Sequence, residues 1–215
     1  MKNFFTANKW YFFLYMLFFI GAMTVVFLTE KGSVVIFFDT HRKKLLDIFF
    51  IAVTKIGEYY TYLILILFFV FIRKNYRLAT AMAVMGMFLP LISYFLKMYF
   101  KHPRPLTYFS KYIGYNDFHG IENLHYHTGH NSFPSGHTFS AFALFTLLAL
   151  STKNKSLGIL FFLTALMVGI SRIYLSQHFV EDVVFGSVLG ILYGMLTYYI
   201  FFILLKNKNF FAQKS

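Results

Sequence analysis

The chain has 215 residues, of which 58% are hydrophobic and 13% are charged, and its formal net charge is +12. Soluble domains carry about 25% charged residues, so this composition excludes an ordinary soluble enzyme and indicates an integral membrane protein. The absence of cysteine excludes disulfides, thiolate metal sites and cysteine nucleophiles.

The apolar runs predict a single all-α membrane domain over residues 1–215, because several of them reach the length of about 20 residues that crosses a bilayer. The domain is predicted to be a bundle of six transmembrane helices. The predicted spans are 10–29, 58–72, 78–99, 137–150, 157–173 and 183–205. Pro90 is expected to kink the third span.

Two segments near the N-terminus need separate interpretation. The first apolar run follows two lysines and resembles a signal peptide, but it exceeds the about 7–15 residues of a signal h-region, so we interpret it as a retained span. Residues 33–57 mix apolar stretches with seven charged or histidine residues, which is too polar for a span. They are expected to form an interfacial amphipathic helix between the first and second spans.

Residues 101–133 form the longest polar stretch and hold five of the eight histidines. Long loops in compact proteins often carry function. Six crossings place both termini on the side of the membrane opposite to this stretch. The side with the termini then carries ten of the 20 basic residues and none of the eight acidic ones. The raw Lys and Arg counts are equal. Setting aside Lys97, Arg104 and Arg172 as functional favours cytoplasmic termini and an outer-face site. The compactness of the chain makes a bacterial inner membrane the first expected location, with a eukaryotic endomembrane as the alternative.

Three of the basic residues are predicted to meet at this outer face. Lys97 ends the third span, Arg104 follows it, and Arg172 ends the fifth span. Ionisable groups at membrane depth are costly and indicate a functional site, and a guanidinium group matches phosphate oxygens. Ser135 and Gly136 at the start of the fourth span would add free backbone N–H groups to the same oxyanion pocket.

The same face carries the groups that a nucleophilic mechanism needs. His178 and Asp182 are spaced i to i+4, so on a helix the carboxylate can accept from one ring nitrogen and leave the other free to attack. Glu181 at i+3 is the alternative partner. His137 is a second imidazole that could give a proton to a leaving oxygen. A single Lys or Arg of this kind is more often an interfacial anchor, and the joint occurrence supports the functional interpretation.

The pattern resembles the type 2 phosphatidic acid phosphatase superfamily, whose signature is K-x6-R-P, P-S-G-H and S-R-x5-H-x3-D. Every specified position matches between residues 97 and 182. The resemblance implies that His178 forms a phosphohistidine, that Asp182 orients it, and that His137 acts as acid and then base. The residues implied to hold the phosphoryl oxygens are Lys97, Arg104, Ser135, Gly136 and Arg172.

The resemblance implies a lipid phosphatase that needs no metal or other cofactor. The implied substrates are undecaprenyl diphosphate, lipid A phosphates, phosphatidylglycerol phosphate and phosphatidic acid, and the sequence does not choose among them. The bilayer and the lipid phosphate are therefore the expected partners, and nucleic acid is not.

Several alternatives stay open at this stage. The vanadium haloperoxidases share the anion pocket, although membrane embedding argues against them, and a non-catalytic phosphate- or lipid-binding or transport protein could use the same cations. Four loop histidines raise the alternative of a zinc site, which the lack of cysteines and the few acids disfavour. They are His119, His125, His127 and His130. Gly186, Gly190 and Gly194 predict close helix packing, with a dimer interface as the alternative, so monomer and homodimer stay undecided.

Overall fold

The computed structural model describes residues 8–114, 117–152 and 154–205, and within these ranges the protein is all-helical, without strands. The α-helices are α1 (Lys9–Leu28), α2 (Ser33–Thr40), α3 (Lys44–Thr54), α4 (Tyr59–Leu67), α5 (Tyr76–Phe100), α6 (Pro105–Tyr108), α7 (Gly136–Ser151), α8 (Lys155–Tyr174) and α9 (Val180–Tyr198). A 3-10 turn, Lys55–Gly57, follows α3, and wider π-helical turns extend three other helices. These extensions are Phe68–Ile72 after α4, Phe109–Ile113 after α6 and Tyr199–Leu204 after α9.

Four helical segments of the described chain are long and apolar enough to cross a membrane, and a bent pair would make a fifth. They are Lys9–Leu28, Tyr76–Ile113, Lys155–Tyr174 and Val180–Leu204, and the pair is Lys44–Gly57 with Tyr59–Ile72, bent by 61°. Helix α7 is apolar, but its 16 residues fall short of the usual spanning length. All six predicted spans are therefore helical, whereas the count of six crossings stays a prediction.

The segment between the first two predicted spans differs from the expectation of one amphipathic helix. It forms two helices, α2 and α3, separated by residues 41–43. The break has a physical cause, because Arg42 between the helices pairs with Asp39 at 3.0 Å and with Asp47 at 3.6 Å. Buried carboxylates need such partners. The position of this segment relative to the membrane interface stays a prediction.

Helix α7 forms the centre of the bundle and packs between α8 and α9. Residues 138–150 are all buried. The small residues of α9 make this approach close: a Cβ added at Gly190 would lie 2.4 Å from Phe142 Cβ, and one at Gly194 would lie 2.7 Å from the Ala143 carbonyl oxygen. The glycine stripe therefore packs within the chain, as the packing interpretation predicts, and it fixes the N-terminus of α7 beside the adjoining ends of α8 and α9.

Candidate active site

The site lies where the ends of α5, α7, α8 and α9 meet the polar segment before α7. His178 is in the short turn between α8 and α9 and is 1% exposed. Its Nδ1 lies 3.3 Å from Asp182 Oδ2, and the carboxylate is fully buried in the first turn of α9. The predicted contact between His178 and Asp182 is therefore present, although His178 lies in the turn before α9 and not on the helix itself. The alternative partner Glu181 instead pairs with Lys31 at 2.8 Å.

Two further donors fix the Asp182 carboxylate. The Ser132 hydroxyl donates to Oδ2, and the Phe179 N–H donates to the same oxygen at 3.0 Å. Ser132 Oγ also lies 3.3 Å from His178 Nδ1, and the serine is fully buried. A carboxylate with several donors is held in one orientation, so the imidazole that it contacts is oriented as well.

Arg104 faces the other edge of the same imidazole. Its Nη1 lies 3.4 Å from His178 Nε2 and donates to the Gln177 carbonyl oxygen at 3.0 Å, while Nε donates to Asn131 Oδ1 at 2.8 Å. The guanidinium is thus fixed beside the ring nitrogen that Asp182 leaves free. This is the place where phosphoryl oxygens would need compensating charge during attack.

Arg172 is held from the opposite side by a residue that sequence reasoning missed. Its Nη1 donates to Thr54 Oγ1 at 2.7 Å, and Nε is buried without a hydrogen-bond partner among the described residues. The arginine is only 6% exposed. A buried guanidinium nitrogen without a partner is costly, and an anion in this pocket would satisfy it.

The N-terminus of α7 adds backbone donors to the pocket. The Ser135 hydroxyl bonds Thr138 Oγ1 at 2.8 Å and does not cap the helix, so the first N–H groups of the helix keep their capacity to bind an anion. A Cβ added at Gly136 would lie 3.3 Å from Ser93 Oγ and 4.0 Å from Lys97 Nζ. The glycine therefore leaves open the space in front of the lysine.

His137, the second predicted imidazole, projects from the first turn of α7. Its Nε2 lies 3.8 Å from Glu58 Oε1, at the start of α4. Both side chains are about one-third exposed. The structure thus brings together all eight predicted site residues. Side chains outside the motifs that contact them include Thr54, Glu58, Asn131 and Ser132.

A cavity of about 550 Å³ opens beside His137. Its polar end is formed by Lys97, Gly136 and His137, and its apolar wall runs along α4 and α5. The α5 side reaches from Lys97 back to Met82, which corresponds to about 22 Å along the axis at 1.5 Å per residue. Two of the predicted phosphate-binding residues, Lys97 and Gly136, therefore adjoin a long apolar groove.

The histidines of the outer loop serve different contacts. Buried Asp39 accepts from the N–H groups of His119 and Gly120 at 2.8 and 3.0 Å and so anchors the loop. The His125 carbonyl oxygen accepts from Gln177 Nε2 at 3.0 Å. Within the described ranges, no group of three histidine or acidic side chains is placed to share a metal ion. The loop is therefore held by hydrogen bonds to α2 and to the turn that carries His178.

Electrostatics in the pocket favour a neutral nucleophile. Burial, reinforced by the neighbouring cations with Arg104 foremost, holds the pKa of His178 well below its usual value. The same factors lower the pKa of His127 at the pocket entrance, with burial first and Arg104 next. A neutral imidazole with Nδ1–H on the carboxylate keeps its lone pair at Nε2.

The three motifs of this site lie within a region of the chain that matches a known protein family. The profile of the PAP2 superfamily matches residues 74–206, which include every residue of the three motifs. The chain belongs to the PAP2 superfamily. This confirms the resemblance seen in the motifs.

Relatives within the PAP2 superfamily act on several lipid phosphates. The undecaprenyl-diphosphatase BcrC of Bacillus subtilis is 27% identical over 161 residues, or 73% of this chain and 76% of that protein. The lipid A 1-phosphatase of Porphyromonas gingivalis is 43% identical over 75 residues, which cover 34% of this chain and 17% of that protein. A transmembrane PAP2-type phosphatidylglycerolphosphate phosphatase from Bacillus subtilis has a similar structure, with a TM-score of 0.64 at 27% identity, covering 91% of this chain and 96% of that one.

Proposed function

We propose that this protein is a membrane-embedded lipid phosphatase, which hydrolyses a phosphomonoester or diphosphate of a lipid through a phosphohistidine intermediate on His178. One observation supports this above all: the buried, oriented imidazole of His178 lies beside Arg104, and three other residues of the same site, Lys97, Gly136 and His137, line the end of a long apolar groove. The groove would hold the apolar chain of the lipid and present its phosphate to the cations.

The proposed reaction has two steps. In the first, His178 Nε2 forms a bond to phosphorus while the bond from phosphorus to the lipid oxygen breaks, and His137 gives that oxygen a proton. In the second, His137 takes a proton from water, whose oxygen bonds to phosphorus as the bond to Nε2 breaks. Asp182 keeps Nδ1 protonated throughout. His178 and His137 return to their starting states.

The oxyanion charge of both transition states falls on fixed donors. The proposed phosphate-binding groups are the side chains of Lys97, Arg104 and Arg172, and the backbone at Ser135 and Gly136. Preorganised cations and backbone N–H groups stabilise such charge without rearrangement. We therefore propose a mechanism without a metal or cofactor, in which these groups do the electrostatic work.

The finer architecture belongs to the same proposal. Residues 1–215 form one domain that crosses the membrane six times, with α2 and α3 near the interface, both termini in the cytoplasm and the active site on the outer face of a bacterial inner membrane. Because the chain has no cysteine, single introduced cysteines can test this orientation. Labelling of Glu122→Cys but not Lys74→Cys by an impermeant maleimide on intact cells would support it, and the reverse pattern would refute it.

The decisive experiment compares phosphate release by wild type and His178→Ala, with EDTA, on four lipid phosphates. These are undecaprenyl diphosphate, lipid A 1-phosphate, phosphatidylglycerol phosphate and phosphatidic acid. We expect release by wild type only, and an acid-labile phosphoenzyme in wild type only. The control is the exposed His41→Ala, which should retain activity.

The second candidate is a non-catalytic binding or transport role. It is favoured by the name of a relative from Bacillus licheniformis, bacitracin transport permease protein BcrC, which is 34% identical over 90 residues. Anion binding requires no oriented nucleophile, so His178 and Asp182 favour the enzyme. Phosphate binding by wild type without turnover of any of the four lipids would favour the second candidate.

A further inference from the structure

Glu58 belongs to none of the three motifs, and its placement calls for an explanation. It occupies the N-cap position of α4, with an extended backbone, but its side chain makes no capping hydrogen bond. Its Oε1 instead lies 3.8 Å from Nε2 of His137. A carboxylate within 4 Å of an imidazole is at ion-pair distance, so the side chain serves the active site and not its own helix.

The neighbouring Gly57 shows that this approach is built into the backbone. A Cβ added there would lie 2.8 Å from Val168 Cγ1 and 3.0 Å from the carbonyl oxygen of His137, closer than side chains tolerate. The turn before α4 therefore packs directly against the first turn of α7. Three residues earlier, Thr54 bonds Arg172, so the same segment is fixed to the site at two points.

The charges around His137 explain why a carboxylate such as Glu58 would matter beside it. Burial is the first factor that opposes a charge on His137, and the neighbouring groups that add to it are Arg172, His178, Lys97 and Arg104. Positive neighbours oppose protonation of an imidazole, whereas a nearby carboxylate favours it. Glu58 is the one carboxylate at ion-pair distance from His137 among the described residues.

We propose that Glu58 is a positioning residue that holds Nε2–H of His137 and stabilises the imidazolium, so that Nδ1 delivers the proton to the departing lipid oxygen. This inference rests on the proposed function. As the bond from phosphorus to the lipid oxygen breaks, the proton on Nδ1 moves to that oxygen. The proton on Nε2 stays on the imidazole, which continues to face the Glu58 carboxylate. In the second step Nδ1 accepts a proton from water, which restores the imidazolium beside Glu58.

The dependence of rate on the leaving group separates this role from a structural one. An alkoxide leaving group requires a proton, whereas a nitrophenolate leaves without one. The test therefore measures kcat/KM, which reports the steps up to release of the leaving group and not the later hydrolysis of the phosphoenzyme. It compares wild type and Glu58→Gln on dodecyl phosphate and on a nitrophenyl phosphate that carries a dodecyl chain. The matched control is Glu122→Gln, the same substitution at an exposed glutamate of the outer loop.

Glu58→Gln should lose about 30- to 100-fold in kcat/KM on dodecyl phosphate and less than about threefold on the nitrophenyl substrate, because general acid catalysis contributes about 10²- to 10⁴-fold. Glu58→Asp should recover part of the loss, and Glu122→Gln should match wild type on both substrates. Equal losses of Glu58→Gln on the two substrates, or no loss on either, would overturn the inference. A wild type without turnover on both would refute the phosphatase proposal itself.

Discussion

Ser132→Ala is the most informative single change outside the three motifs. The Ser132 hydroxyl is buried and donates to Asp182 Oδ2, which also accepts from the Phe179 N–H and contacts His178 Nδ1. The variant removes one of these donors and leaves the carboxylate in place. Asp182 Oδ1 already lacks a hydrogen-bond partner among the described residues, so the lost donor is not replaced from that side.

The size of the effect follows from the energy of a hydrogen bond to a charged group, about 1.5–3 kcal/mol. If the transition state needs the oriented carboxylate in full, kcat/KM falls by about 10- to 150-fold, since about 1.4 kcal/mol corresponds to a tenfold change. The free energy of unfolding should fall by a similar amount, because a buried carboxylate loses a donor.

The assay measures phosphate release from the lipid that wild type turns over fastest, well below the melting temperature of both proteins. Ser110→Ala, at an exposed serine on the same side of the bundle, is the control and should change neither quantity. A Ser132→Ala protein with kcat/KM within twofold of wild type would refute the argument that this hydroxyl orients the Asp182 carboxylate. A lower melting temperature with unchanged kcat/KM would assign the serine to stability alone.

Other parts of the structure make three further predictions. Thr54→Val removes the hydroxyl partner of Arg172 at nearly constant volume, so KM for the lipid phosphate should rise about tenfold. Steady-state kinetics that extend to saturating lipid measure KM and show whether kcat is unchanged. Gly190→Ala should lower the free energy of unfolding by about 1–3 kcal/mol through overpacking, as measured by thermal unfolding. The control Gly21→Ala, with open space around the added Cβ, should not destabilise the protein. The pKa of His178 is depressed in the folded protein, so the unfolded chain binds a proton more readily, and stability should fall progressively as the pH drops from about 6.5 to the lower pKa of the folded protein. Ring ¹⁵N NMR should accordingly find the imidazole neutral at pH 6.5. A His178 midpoint at or above pH 6.5 would contradict the described electrostatics.

The positions of the helices were predictable from local features of the sequence, whereas their contacts were not. Apolar runs predicted the positions of six helical segments, because hydropathy is a property of each run by itself, but only some of these segments reach spanning length. The region 33–57 was less predictable, since its break depends on Arg42 turning toward two carboxylates on different helices. The glycines of α9 predicted close packing, but only the structure identified α7 as the helix that they contact.

Motif spacing predicted which residue types share the site, because spacing is a local property of the chain. The four-residue spacing of His178 and Asp182 predicted their contact, although His178 lies in the turn before α9 and only Asp182 is on the helix. The cations at the span ends predicted a functional site, because ionisable groups at membrane depth are costly. Tertiary structure alone decided which partners fix those groups. Thr54 and Arg172 are 118 positions apart, and Ser132 and Asp182 are 50 apart. Such contacts depend on how the helices pack, and no spacing rule along the chain encodes them.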